Sequence, residues 1–308
     1  MFKTLNGVYE PSAVQQLQDG RFLVAEDEKE FPFSLVSIHL DGTTTATPLV
    51  IEAGAADPGK LNDLEGLAMD ASGWIYATTS HSRNSQGEIK PSREKLIRFR
   101  VEGDRMVALG PVKNLKPALI AGHPELAAAA AILNVKAEGG FNIEALEFSP
   151  DQRDLLVGFR SPLDAGRALI ASISNPTAMF EHNAEPVVTP ALIRLDLGGQ
   201  GLRGMSWAPD LGGYLLLSGP VARELTHFRL WFWGGQATDR PRPVDVDGLP
   251  GFEHAEGITP ASIAGHPRYV IVSDDGSREE QRPAKYLLLS PEQLRISPET
   301  RFEPTVDG

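Results

Sequence analysis

Short apolar runs separated by turn residues recur along the chain, and several of them alternate polar with apolar positions. Lys95-Leu96-Ile97-Arg98-Phe99-Arg100-Val101 reads as a half-buried outer strand. Asp19-Gly20 and Asp41-Gly42 sit between such runs, which is a strong hairpin signal. One unit organises the rest. It consists of a carboxylate, a small residue, a short apolar strand, a turn, and a second strand ending in hydroxyls. Its clearest copy opens at Glu65-Gly66-Leu67 and ends at Thr78-Thr79-Ser80. Further copies open at Glu144-Ala145-Leu146, Arg203-Gly204-Met205 and Glu256-Gly257-Ile258, with a looser one at Glu10-Pro11-Ser12.

Starts at 10, 65, 144, 203 and 256 suit four-stranded propeller blades with generous loops. The pattern predicts strands at 12–17, 21–25, 34–40 and 45–51 in the first blade. The second blade takes 65–69, 74–79, 95–101 and 106–115. The third continues through 154–159, 168–174 and 191–197. The fourth takes 204–207, 214–218, 227–233 and 242–246. The fifth takes 256–259, 269–273 and 285–289, completed by 295–306 and the N-terminal 2–5. The fold expected is all-β: one propeller domain over 1–308, its ring closed by the two termini. It has five blades, or six if the long gap before 144 hides a degenerate one. That gap holds a short helical insertion near 123–135. Pro124 suits a first helical position, Glu125 suits the positive end of the helix dipole, and the alanines at 127–131 have the best helix propensity.

In such a unit the start of the first strand and the loop after the second lie at the same end of the blade. A row of charges, Glu10, Glu65, Glu144, Arg203 and Glu256, is therefore expected around one mouth of the central channel. The loops at 26–28, 80–84, 160–161, 218–220 and 273–276 would surround it. Four carboxylates around a channel repel one another unless something compensates them. A hard cation such as calcium is one solution, with Glu65, Glu144, Glu256 and Glu10 as ligands. Internal ion pairs to Arg203 are the other. Beside the row, His81 is a candidate acid or base, and Arg83 and Arg203 are candidates to hold an anionic group.

Composition narrows this picture. The net charge is −12 and no basic run occurs, so nucleic acid is not an expected partner. There is no cysteine, which excludes thiolate metal sites and a cysteine nucleophile. No apolar run is long enough to span a bilayer as a helix. If Met1 is the native start, a cytoplasmic location is expected; a removed leader would instead place the protein in the periplasm or outside the cell. Phosphate-loop, His-Glu-x-x-His, nucleophile-elbow and dinucleotide motifs do not occur.

The openings Glu65-Gly66-Leu67 and Glu256-Gly257-Ile258, with Asn142-Ile143-Glu144 and Gly201-Leu202-Arg203-Gly204-Met205, resemble bacterial propellers described as phytase-like or esterase-like. More distantly, the unit is similar to the calcium-dependent gluconolactonase and paraoxonase propellers. There, a glutamate opening an inner strand ligates the catalytic calcium, and Glu65, Glu144 or Glu256 would match it. This resemblance implies a calcium-dependent hydrolase of a phosphoester or other ester, acting on a small anionic or ester substrate at the channel mouth. The alternative is a non-catalytic binding propeller that recognises a small anion or a protein partner, with a purely structural Glu/Arg ring.

Overall fold

The alternating runs form five sheets, antiparallel but for one short edge strand, in the computed structural model, which describes residues 1–27, 31–52, 58–112, 114–222, 227–252 and 254–298. The chain starts with β1 (Lys3–Thr4). Blade one follows as β2 (Pro11–Gln16), β3 (Phe22–Glu26), β4 (Phe33–Ile38) and β5 (Thr44–Pro48). Its hairpins turn on Gly20 and Gly42, at φ +89° and +82°, a region that glycine enters without a Cβ penalty. The short β6 (Val50–Ile51) leaves blade one. Blade two comprises β7 (Leu64–Met69), β8 (Ile75–Thr79), β9 (Leu96–Glu102) and β10 (Arg105–Val112), and β6 pairs in parallel with β10 at its outer edge.

The insertion is longer than the alanine run suggests. Three helices, α1 (Leu115–Gly122), α2 (Pro124–Ala130) and α3 (Val135–Glu138), connect blades two and three. Blade three has β11 (Asn142–Phe148), β12 (Leu155–Ser161) and β13 (Ala168–Ile173). The helix α4 (Pro176–Glu181) then precedes its last strand, β14 (Ile193–Leu195). Blade four has β15 (Gly201–Ala208), β16 (Gly213–Gly219), β17 (Arg229–Trp233) and β18 (Arg242–Val246). Blade five has β19 (Ala255–Ile263), β20 (His266–Ser273) and β21 (Lys285–Leu289).

The N-terminus completes blade five, with Lys3 opposite Tyr286 and Thr4 opposite Lys285. The other end departs from expectation. β22 (Leu294–Ile296) pairs with β18 at the outer edge of blade four. Of the 295–306 stretch expected in the last blade, 299–306 lie outside the described residues. The protein is thus an all-β, five-bladed propeller with a short helical insertion.

What holds the ring is apolar burial between neighbouring blades. The described residues form five buried clusters, one for each pair of adjacent blades. Leu23, Leu35, Leu64, Ile97 and Phe99 join blades one and two. Tyr76, Leu96, Phe148, Val157 and Leu169 join two and three, and α1 and α2 add Leu115, Leu119 and Leu126. Leu156, Ile170, Leu216 and Trp233 join three and four. Leu217, Leu230, Ile271 and Leu287 join four and five. Val14, Val24, Val270 and Tyr286 join five and one. Each fully buried side chain of this kind contributes roughly 1.5–3 kcal/mol, so the sealed seams carry most of the stability.

The inner strands come close enough that small residues are required at one level. A Cβ on Gly66 would lie 2.9 Å from Leu146 Cβ of blade three. One on Gly204 would lie 2.2 Å from the Glu256 carbonyl oxygen of blade five, and one on Gly257 2.8 Å from the Val14 nitrogen of blade one. The small residue of the repeat is therefore a packing requirement at the axis.

Candidate functional site

Each inner strand has a register shift at its mouth end. The breaks fall between Pro11 and Ala13, Leu64 and Gly66, Ile143 and Ala145, Leu202 and Gly204, and Ala255 and Gly257. A bulge leaves one residue out of the ladder and re-aims its side chain. Those residues are Ser12, Glu65, Glu144, Arg203 and Glu256. All but Arg203 line the axial cavity, together with the small and large residues that follow each bulge, such as Gly66-Leu67 and Ala145-Leu146. The axis is nearly filled, with a cavity of about 10 Å³.

Glu10 is not the fifth member of this ring. It precedes β2, and Ser12 takes the bulge position in blade one. Ser12 Oγ donates to the Leu64 carbonyl at 2.5 Å and lies 3.4 Å from the Ala25 carbonyl, tying blade one to blade two. The signal was in the sequence. Ser12-Ala13-Val14 matches the small-then-large pattern of Glu65-Gly66-Leu67 better than Glu10-Pro11-Ser12 does.

The charges of the other positions are compensated by guanidinium groups. Arg203 Nη1 lies 2.7 Å from Glu144 Oε2, and its Nη2 contacts Glu256 Oε1. Arg160 Nη1 donates to Glu144 Oε1 at 3.1 Å, and Asn142 Nδ2 donates to the same oxygen at 2.7 Å. Glu144, Arg203 and Glu256 are all more than nine-tenths buried. Two arginines thus neutralise two glutamates. Burial, and then Arg160, lower the Arg203 pKa, while Glu144 opposes that effect. Arg203 Nε is buried without an acceptor.

Glu65 is left over. It makes no hydrogen bond or ion pair to any described residue. Burial, then Glu144 and Asp63, hold its pKa well above the usual carboxylate range, partly offset by Arg203. Around it the mouth is acidic. Asp63, at φ +63°, pairs with Arg93, which also donates to Ser82 Oγ at 2.7 Å. Asp27, exposed at the rim, accepts the Asp63 N–H at 2.9 Å; partial burial and then Asp63 raise its pKa. Burial also raises Asp274, and Arg203 and His254 oppose that rise. Asp275 is held by Lys285.

The calcium expectation is overturned. Among the described residues no group of three or more His, Asp or Glu side chains converges to hold a metal ion. The physical reason is that Arg203 and Arg160 already neutralise Glu144 and Glu256, Glu65 alone remains at the bulge level, and Glu10 lies outside the ring. Neither His81 nor Arg83 hydrogen-bonds to Arg203, Glu144 or Glu256. His81 is fully buried, neither of its ring nitrogens has a hydrogen-bond partner, and burial followed by Lys116 pushes its pKa down to about 3. Arg83 donates to the Ala130 and Gly87 carbonyls at 3.3 and 3.0 Å. His254 packs on Phe228, with ring centres 5.7 Å apart.

Two features were missed from sequence. Glu147, near the far end of β11, is a lone buried carboxylate. It accepts the Phe148 N–H at 2.7 Å, the Trp207 N–H at 2.9 Å and the Ser206 hydroxyl at 3.1 Å, and burial pushes its pKa up to about 7. The second is a cleft of about 720 Å³ between α2, α3 and the mouth-side loops of blades three and four. Ala128, Ile132, Leu163 and Val221 are among its apolar lining residues, with Glu125, Glu138 and Asp164 as its acids. Arg194 bridges Glu125 and Asp164 at 2.8 and 2.5 Å and holds the Asp164 carboxyl below the usual range.

No protein-family model and no curated protein matches the chain. Solved structures do. A β-1,3-galactosidase of glycoside hydrolase family 43 matches with a TM-score of 0.51 and 10% identity, over 97% of this chain and 99% of that one. The PQQ-bound aldose sugar dehydrogenase from Streptomyces coelicolor matches with a TM-score of 0.45 and 15% identity, over 94% and 98%. TolB from Acinetobacter baumannii matches with a TM-score of 0.39 and 12% identity, over 94% and 56%. At such identities the likeness concerns the fold alone, and it does not single out the phytase-like or lactonase propellers.

Proposed function

We propose that this chain is a non-catalytic binding propeller. Its Glu/Arg ring holds the blades together, and a segment of a protein partner is taken up in the cleft beside the helical insertion. The observation that carries this reading is the chemistry of the cleft walls. The volume, about 720 Å³, suits a bound side chain and its flanking backbone, and most of the lining is apolar. Among the described residues, no histidine, serine, lysine or arginine lines it. Its bridged acid Asp164 is held ionised by Arg194, so it cannot supply a proton near neutrality. Glu138 is exposed at the rim and has no cation partner among the described residues. The partner segment that fits carries an apolar side chain next to a lysine or arginine.

The resemblance to phytase-like and lactonase propellers carries less weight, because the ring neutralises its glutamates with arginine rather than with a bound cation. Panning a random peptide display library against the full chain tests the proposal. Enriched peptides are expected to share an apolar residue beside a basic one. They are expected to lose about tenfold or more in affinity to Ala128→Arg, which fills the cleft from an exposed helix position. Absence of enrichment overturns the reading. So does turnover on phosphoester, aryl ester or lactone panels that disappears in Glu144→Ala.

A further inference from the structure

Of the seven histidines in the chain, five are exposed to solvent: His39, His182, His227, His254 and His266. His81 and His123 are 0% and 3% exposed, and both serve the same element, α1. His81, in the loop after β8, is acted on by the charge of Lys116 in the first turn of α1. His123 joins α1 to α2. Its N–H donates to the Leu119 carbonyl at 3.1 Å, and its own carbonyl accepts the Leu126 and Ala127 N–H groups. Neither ring is provided for as a cation. Both ring nitrogens of His81, and Nε2 of His123, are buried without a hydrogen-bond partner. A buried polar group in that condition calls for a physical explanation. His81 also sits at φ +54°, a strained conformation for a residue with a side chain.

The charged neighbours do not relieve this. Lys116, itself buried, is bound to Glu94 at 2.6 Å, and its Nζ lies 5.4 Å from the centre of the Phe141 ring. Arg93 gives its carbonyl to the His81 N–H at 2.8 Å and its guanidinium to Asp63. Arg83 is held on the Ala130 and Gly87 carbonyls. Burial, then Lys116, hold the His81 pKa down to about 3, against a weaker attraction from the Lys95 backbone. At His123 burial likewise lowers the pKa; Glu125 opposes this and Arg194, which is bound to Glu125 and Asp164, adds to it. α1 is lightly fastened. Its eight residues include Pro117, its N-terminus has no side-chain cap, and it buries only Leu115, Lys116 and Leu119. We propose that α1 is an acid latch: proton uptake by His81 and His123 releases the helix from the seam between blades two and three while the blades stay folded. Once released, both rings reach water, and His81 no longer shares a dry space with Lys116. The closed form is fully favoured above the ordinary histidine pKa of about 6.5 and loses ground as pH falls below it. α2 and α3, which follow α1, form one wall of the cleft, so release loosens that wall. The latch does not depend on what the cleft binds.

Hydrogen exchange of the full chain, read by mass spectrometry and corrected for intrinsic exchange rates, tests the latch. Protection of peptides covering 114–131 should fall about 30-fold or more between about pH 7.5 and about pH 5. That is the factor supplied by one histidine whose pKa rises on release from about 3 to about 6.5. Peptides from β12, β16 and β20 should keep their protection over the same range. His81→Gln should remove most of the pH dependence, and the double variant with His123→Gln nearly all of it; thermal melts verify that the variants are folded. The proposal is overturned if α1 in wild type is protected equally at both pH values, or if the blades lose protection in parallel with it. Unchanged pH dependence in a folded double variant overturns it as well. Where a variant does not fold, the wild-type profile decides alone.

Discussion

Glu144 and Glu65 occupy the same bulge in adjacent blades and meet opposite electrostatic conditions. Glu144 receives Arg160, Arg203 and Asn142. Glu65 receives no cation, and Glu144 together with Asp63 pushes it toward its protonated form. The ring is therefore two sectors rather than one. From blade three to blade five it is a closed network of charges. At blades one and two it consists of a serine clasp and an unpaired carboxylate. Identical backbone geometry thus does not dictate identical chemistry; the neighbours on the adjoining blades decide whether a carboxylate is structural or available.

The largest expected effect comes from breaking the closed sector. Arg203→Met leaves Glu144 and Glu256 buried with one partner fewer between them. Urea unfolding should show a loss of about 3–5 kcal/mol, as for other buried pairs deprived of one member. Adding Glu144→Gln should recover part of it; a single variant as stable as wild type would contradict the ring's structural role.

Glu147 provides the next test, because it is buried with neutral donors only. Its folded pKa, about 7, lies above the ordinary 4.5. Its contribution is thus fully present below about 4.5 and is lost as pH rises through 7. Between those values wild type should lose stability on the order of 3 kcal/mol relative to Glu147→Gln. Equilibrium unfolding of both proteins across that range measures the difference, and parallel pH profiles would refute the assignment.

Smaller effects belong to the open sector. Ser12→Ala removes the hydroxyl that reaches the Leu64 carbonyl, and should cost about 1 kcal/mol. Glu65→Gln should raise stability by about 1 kcal/mol at neutral pH, since it replaces a desolvated, unpaired charge with a neutral isostere. Its folded pKa is raised, so this gain should shrink as pH falls through that pKa and both forms become neutral. A thermal shift in the opposite direction at neutral pH would show that Glu65 has a cation partner in solution.

The blades were legible because each inner hairpin repeats its alternation and its turn residues. β18 and β21 match the predicted strands residue for residue. The bulge was not legible where alignment rested on carboxylates. Blade one was registered on Glu10, although the small residue Ala13 and the large Val14 mark the axis. α1 was hidden by Pro117 and by the absence of a side-chain cap, and α4 is too short to announce itself. The β22–β18 pairing depends on a partner some fifty residues away in sequence, which local pattern does not encode. The compensation of charge by Arg203 was readable as one of two options; Arg160, which decides between them, looked like an ordinary loop residue.

The small residues that follow each bulge have a consequence for the size of the ring. Ala13, Gly66, Ala145, Gly204 and Gly257 act as a gauge for its circumference, since each sets how closely one inner strand approaches the next. Substituting larger side chains around this level would force the blades outward and open a pore along the axis. Conversely, a lineage could trade a sealed hub for a conduit, or make room for another blade, by changing this one tier of residues and leaving the seams between the blades intact.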